Sequence, residues 1–258
     1  MMKTKTKRVL MVVGLLLLIP VLGLVALYVS MFAGNPEFAD GQELEGFARV
    51  VKDGYVAVDV LDAGPGAVVL IDAGTDVEGK LLLAELQRRG LGPEAVKAIF
   101  LTHGHVDHIA GCHLFPQAQV LALAEDVGLA EGREGSKAPV LQFLPPAQRQ
   151  VHITRALKDG ETVEVGNLSV RVFALPGHTR GSAAYLVKGL LFLGDSADAT
   201  RDGTIVPAKW PVTEDGARNR ASLQALAGRL APGEVRQLVF SHTGVLPGDA
   251  ALRAFAAK

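Results

Sequence analysis

The chain has 258 residues, 49% of them hydrophobic, and its 26 basic and 27 acidic residues leave a formal net charge of −1. Lys3, Lys5, Lys7 and Arg8 all precede the first acidic residue, Glu37, so the remainder is net acidic and poorly suited to gripping nucleic acid through phosphates. The single cysteine, Cys112, excludes an intrachain disulfide, a Cys-x-x-Cys redox pair and a cysteine-based zinc cluster.

Behind the basic tail at 1–8, residues 9–33 (VLMVVGLLLLIPVLGLVALYVSMFA) carry no charge, and 25 residues suffice to cross a hydrocarbon core of about 30 Å as a helix. We expect a transmembrane anchor here. A cleaved signal peptide is the alternative, but its apolar region is shorter and ends in a small-x-small site, whereas Met31 stands where Ala33 would need a small residue. The preceding positive charges predict a cytoplasmic N-terminus with the rest of the chain outside; Pro20 kinks such a span without forbidding it.

Residues 34–45 read as a linker and 46–258 as one domain. Residues 47–61 predict two strands around a tight turn at Asp53-Gly54, and residues 68–72 a third. Thr75 or Asp76 is expected to cap a helix through VEGKLLLAELQRR, with Gly90 closing it. Residues 97–102 form another short apolar strand. Residues 124–150 read as a surface excursion with one short helix. Strand signals then return in VHITRAL, ETVEV, LSVRVFAL, SAAYLV and LLFLGD, and helices at 214–230 and 248–257 flank the strand QLVF at 237–240. Hairpin blocks interrupted by helices predict a mixed αβ domain.

The chemistry concentrates at strand ends. His103, His105, Asp107 and His108 crowd into FLTHGHVDHIAG after one strand, and such histidines would repel one another once protonated unless a cation made their neutral forms useful. His178 follows a second strand, Asp195 ends a third and His242 a fourth. If these strands share one edge, all seven side chains converge.

The pattern HxHxDH at 103–108, followed by His178, Asp195 and His242, resembles the metallo-β-lactamase-fold hydrolases, and LIDAG at 70–74 resembles that family's first motif. The resemblance covers about residues 46–245. It implies an α/β fold, an αββα sandwich of two mixed β-sheets flanked by helices. It also implies a first metal site of His103, His105 and His178, a second of Asp107, His108 and His242, and Asp195 as the bridging carboxylate. By the same resemblance Asp72 accepts a hydrogen bond that orients a ligand histidine.

The residue types agree with that implication. Neutral imidazoles suit zinc, iron or nickel, and two carboxylates lower the cost of holding two divalent ions together. Zinc is the expected metal, with iron or manganese as alternatives. Two such ions lower the pKa of bridging water from about 15.7 towards neutrality, giving a metal-bound hydroxide that attacks an ester, lactone, amide or related bond. Asp107, at an expected helix start, is placed to accept backbone N–H bonds, to face the helix's positive end, and to orient the nucleophile or shuttle its proton. His113 and His152 read as structural or exposed, and Cys112 as a small buried side chain.

The expected partner is a small-molecule substrate. The family's glutathione thioesterases carry a longer C-terminal extension, its quorum-signal lactonases a tyrosine after the bridging aspartate, and its iron flavoproteins a glutamate in place of His105; each difference argues against that substrate class. Arg201, Lys209 and Trp210 either pair a substrate anion and supply an aromatic wall or are ordinary surface residues. The rival readings are a β-lactamase-like resistance enzyme, a mononuclear iron dioxygenase relative, and a metal-binding interaction module without turnover.

Overall fold

The structure is a computed structural model that describes residues 11, 18–23, 25–29, 35–36, 38–146 and 151–258. Met1–Gly34 and Asn35–Lys258 are separate compact units. In the first, residues 18–23 and 25–29 are helical. The rest of the span expected at 9–33, apart from Met11, and the basic tail at 1–8 lie outside the described residues, among which no helix is long and apolar enough to cross a membrane.

The second unit is built on two sheets. The first holds β1 (Glu43–Leu44), β2 (Ala48–Asp53), β3 (Val56–Asp62), β4 (Val68–Ile71), β5 (Val96–Phe100), β6 (Gln119–Leu123) and β7 (Arg155–Leu157), side by side in chain order. Its first four strands are antiparallel, while β4 to β7 run parallel, with α1 (Lys80–Arg88), α2 (Val106–Ile109) and α3 (Val127–Ala130) in the connections. The second sheet contains β8 (Thr162–Val165), β9 (Leu168–Ala174), β10 (Ala183–Val187) and β11 (Leu190–Phe192). The ribbon of β12 (Ala197–Ala199) and β13 (Ile205–Pro207) and the helix α4 (Gly216–Arg229) follow, before β14 (Gln237–Phe240), β15 (Gly244–Pro247) and α5 (Ala250–Ala256). The second sheet's spatial order is β15-β14-β11-β10-β9-β8.

Side-chain alternation explains the layering. Along β3, Ala57 and Leu61 enter the core between the sheets with Val170, Tyr185 and Phe192, whereas Val58 and Val60 point outward to Leu82 and Leu86 of α1. On β10, Tyr185 and Val187 face inward and Ala184 and Leu186 pack outward with Leu223 of α4 and Phe255 of α5. Both sheets are therefore covered on both faces, which is why β4, β10 and β11 are apolar without interruption. The architecture is the expected αββα sandwich of mixed sheets.

Several elements differ in detail from the sequence reading. Asp53 pairs with Val56, so the hairpin turn is Gly54-Tyr55 rather than Asp53-Gly54, and Asp53's carboxylate instead accepts from the N–H groups of Thr75 and Asp76 at 2.6 and 2.7 Å. Helix α1 starts at Lys80, because residues 76–79 are held in a turn whose Asp76 carboxylate takes the Glu78 and Lys80 N–H groups. Only residues 155–157 of VHITRAL are strand.

Strand direction decides where the chemistry lies. β4 and β5 are parallel, so Asp72 and His103 leave the same edge of the first sheet. In the second, β9 and β11 are both antiparallel to β10, and β11 is parallel to β14, so His178, Asp195 and His242 also leave one common edge. The two edges meet: Ala57 N–H donates to Ser241 O at 2.7 Å, and Ala183 N–H to Thr102 O at 2.8 Å.

Candidate metal centre

At this shared edge the side chains form two adjoining clusters. In the first, His103 Nε2, His105 Nδ1 and His178 Nε2 lie 3.0, 3.0 and 3.2 Å from one another, all buried. A tetrahedral ion with metal–nitrogen bonds of about 2.0–2.1 Å sets its ligands about 3.3 Å apart, close to this triangle. Burial, and the neighbouring imidazoles behind it, hold His103 and His178 well below the usual histidine range; burial also lowers His105. All three are neutral imidazoles at ordinary pH.

A neutral imidazole carries one N–H, and the surroundings fix where it sits. Thr102 gives its hydroxyl proton to Asp72 Oδ2 at 2.7 Å, so its oxygen accepts from His103 Nδ1 at 3.1 Å. Thr213 gives its proton to Lys209 O at 2.7 Å and accepts from His178 Nδ1 at 3.2 Å. His105 Nε2 faces Ser136 Oγ at 3.4 Å. Each outer nitrogen thus has an acceptor, and the three inner nitrogens point lone pairs at one another. That arrangement is repulsive by itself and suits a cation.

The second cluster joins Asp107, His108 and His242. His108 Nδ1 donates to Asp72 Oδ2 at 2.8 Å and His242 Nδ1 to the Tyr55 carbonyl at 2.8 Å, so both Nε2 atoms turn inward. Asp107 Oδ2 stands 3.8 Å from His108 Nε2 and 3.9 Å from His242 Nε2. Asp195 lies between the clusters: Oδ1 is 3.3 Å from His108 Nε2 and 3.1 Å from His242 Nε2, while Oδ2 is 3.8 Å from His178 Nε2. His108 Nε2 and Asp195 Oδ1 are buried polar atoms without a hydrogen bond. Burial disfavours charge on all three groups, yet Asp195 raises His108 well above its ordinary value and His242 to about 9, and these histidines hold Asp195 well below the usual carboxylate range. Divalent ions would replace the protons that this carboxylate draws onto its neighbours. The donor set therefore fits two cations.

All seven residues singled out in the sequence come together here, and Asp72 lies behind them, accepting from Thr102 N–H at 2.7 Å, from its hydroxyl and from His108. Asp107 departs from expectation: it sits in the first turn of α2, but that helix has no side-chain cap, and the carboxylate faces the cluster instead of backbone N–H groups. His113 bonds to Ala110 O and His152 lies beside Glu131, both exposed, and Cys112 is buried among apolar side chains. Lys209 pairs with Asp198 at 3.2 Å and with Asn35, so it is committed within the protein; Arg201 is exposed on the turn between β12 and β13, and Trp210 is 66% exposed. The sequence reading missed Thr102, Thr213, Ser136 and the Tyr55 carbonyl, none of which belongs to a recognisable spacing. Tyr55 also stacks on His242, with ring centroids 5.7 Å apart.

The metallo-beta-lactamase superfamily matches residues 53–242. A hydroxyacylglutathione hydrolase of Xanthomonas axonopodis pv. citri is 30% identical over 168 residues, covering 63% of this chain and 54% of that protein. The chain thus spans about half the length of such curated relatives. Metallo-beta-lactamase domain-containing protein 1 of Xenopus laevis is 29% identical over 202 residues, covering 74% of this chain and 76% of the other. Among solved structures, a B3 metallo-beta-lactamase with an active-site glutamic acid aligns with a TM-score of 0.64 at 24% identity over 86% of both chains. BJP-1, the subclass B3 enzyme of Bradyrhizobium japonicum, gives 0.64 at 20% identity over 89% of this chain and 93% of its own. At such identities these structures speak for the fold, while the family match carries the assignment: the chain belongs to the metallo-beta-lactamase superfamily.

Proposed function

We propose that the protein is a metal-dependent hydrolase whose centre takes two divalent ions, zinc first among them. The observation that carries this reading is the convergence of three buried imidazole lone pairs, each fixed by an acceptor behind its ring. His103, His105 and His178 would hold one ion, Asp107, His108 and His242 the other, and Asp195 would bridge them. When bound, the ions supply Lewis acidity and activate water as a nucleophile. Asp107, a partly buried carboxylate beside His108 and His242, orients the attacking water and holds the proton it gives up at Oδ2. Tyr55 keeps His242 in its working tautomer through its carbonyl, and Asp72 does the same for His108.

The bond attacked is an ester, lactone, amide or related bond. The relatives' names place glutathione thioesters and β-lactams on the list of substrates to try. Metal analysis combined with a hydrolysis panel of lactones, thioesters, β-lactams and phosphodiesters tests the reading. Two ions per chain with turnover of one class is the expected result. One iron without hydrolysis removes the proposal in favour of the mononuclear relative, and two ions without turnover on any class favour a metal-binding module. As a second part of the proposal, residues 9–33 anchor the protein in a membrane with the N-terminus cytoplasmic and the catalytic unit outside, a reading supported by the absence of any charged residue from this segment and by the basic residues before it.

A further inference from the structure

The loop that carries His103 and His105 and the loop that carries His178 come from different sheets, yet their nitrogens meet within 3.2 Å. A third segment lies against both. Asp126, fully buried just before α3, accepts at Oδ2 from Gly104 N–H (2.7 Å) and from the Thr179 hydroxyl (3.0 Å), and at Oδ1 from Gly181 N–H (3.0 Å). Gly104 stands between His103 and His105, and Thr179 follows His178. Packing is equally close. A Cβ on Gly104 would fall 2.6 Å from Ala130 N, and one on Gly181 would fall 2.5 Å from Asp126 N, so the segment seats directly on backbone at both loops.

We propose that Asp126 is a positioning residue: its one carboxylate ties the two loops of the three-histidine cluster to each other and sets the spacing of their nitrogens. The role rests on the metal-centre reading above. Two backbone N–H groups, which can only donate, sit one on each oxygen, an arrangement that suits an ionised carboxylate, a pure acceptor. Burial raises Asp126 to about 6, leaving it ionised at neutral pH. An amide at this place keeps the volume but turns an NH2 group towards either the Gly181 N–H or the Gly104 N–H, so one loop is released.

The test measures cobalt(II) and zinc binding by chelator competition in Asp126→Asn and Thr179→Val, with Glu125→Gln, an exposed neighbour, as control. Cobalt absorption separates the two clusters. Both variants are expected to weaken the three-histidine cluster, Asp126→Asn by about 10–100-fold, and to shift its cobalt bands, with the cluster of Asp107, His108 and His242 held within about twofold. If both variants bind at the three-histidine cluster within about twofold of the unaltered protein, the role of Asp126 is wrong. Equal loss at both clusters, in step with loss of far-ultraviolet dichroism, also overturns it, since that is general unfolding. An unaltered protein that binds no metal at these histidines sinks the metal-centre reading itself.

Discussion

Asp195 and Asp72 are both buried carboxylates among histidines, but they are held in different ways. Asp195 Oδ1 has no hydrogen bond and faces two imidazole nitrogens, its Oδ2 meeting His242 Nε2 at 3.1 Å, whereas Asp72 accepts three hydrogen bonds from Thr102 and His108. Substitution should separate them. Asp195→Ala is expected to weaken metal at both clusters, and Asp195→Asn to do the same with little change of volume, dropping metal content after dialysis from two ions per chain to one or none; His113→Ala should retain both. If both Asp195 variants keep two ions and full turnover, Asp195 does not bridge. Asp72 sits at φ 61°, a left-handed conformation that asparagine tolerates better than alanine. Asp72→Asn is therefore expected to fold and to lose about 10–100-fold in metal affinity through misorientation of His108. Asp72→Ala should cost a further 1–3 kcal/mol, roughly, in thermal or denaturant unfolding, because it leaves the buried Thr102 N–H unpaired.

At the scale of elements, β3 carries a group that neither its strand role nor the metal centre uses. Asp59 follows Ala57 and precedes Leu61 on the face turned to the second sheet, is buried, and has an Oδ1 without a partner. Burial, reinforced by Asp72, raises its carboxyl well above the ordinary value. The folded protein keeps the proton while the unfolded chain gives it up above about pH 4, so this contribution is fully present below that pH and is lost as pH rises towards the folded value. Asp59→Asn copies the neutral acid and removes the titration. Its melting temperature should exceed that of the unaltered protein by more at pH 8 than at pH 5, with a slope of up to about 1.4 kcal/mol per pH unit in between. A difference independent of pH would show that Asp59 is ionised in the fold. The same element scale explains what could be read from the chain. The alternation in β9 and the capped helix α4 were legible, as were the histidines and aspartates at strand ends, since those residue types are scarce and clustered. β1, β12 and β13 were not, because two or three residues carry no period, and the apolar run of β6 has no polar face to mark it. The outer partners stayed hidden for another reason. Thr213 lies 35 residues from His178, and the Tyr55 carbonyl lies 187 residues from His242, so only the fold brings them together.

For the whole molecule, the decisive fact is that every strand among the described residues and every residue of the centre belong to Asn35–Lys258, a unit with its own three packed cores. A chain beginning at Asn35 keeps that unit intact, including the bond from Lys209 to Asn35. Removing residues 1–34 should therefore leave folding, metal content and turnover unchanged. The intact protein, by contrast, is expected to sediment with membranes, because 25 uncharged residues at 9–33 are enough to cross a bilayer core of about 30 Å as a helix. If the proposed anchor holds, protease added to the outer face should release the catalytic unit and spare the lysine-rich tail, the orientation expected from Lys3, Lys5, Lys7 and Arg8. A protected catalytic unit with an accessible tail would reverse the orientation, and a mature N-terminus near residue 34 would make the segment a cleaved signal. An intact chain that stays in the soluble fraction would remove the anchor altogether, while the metal centre, built wholly within the second unit, would stand unaffected.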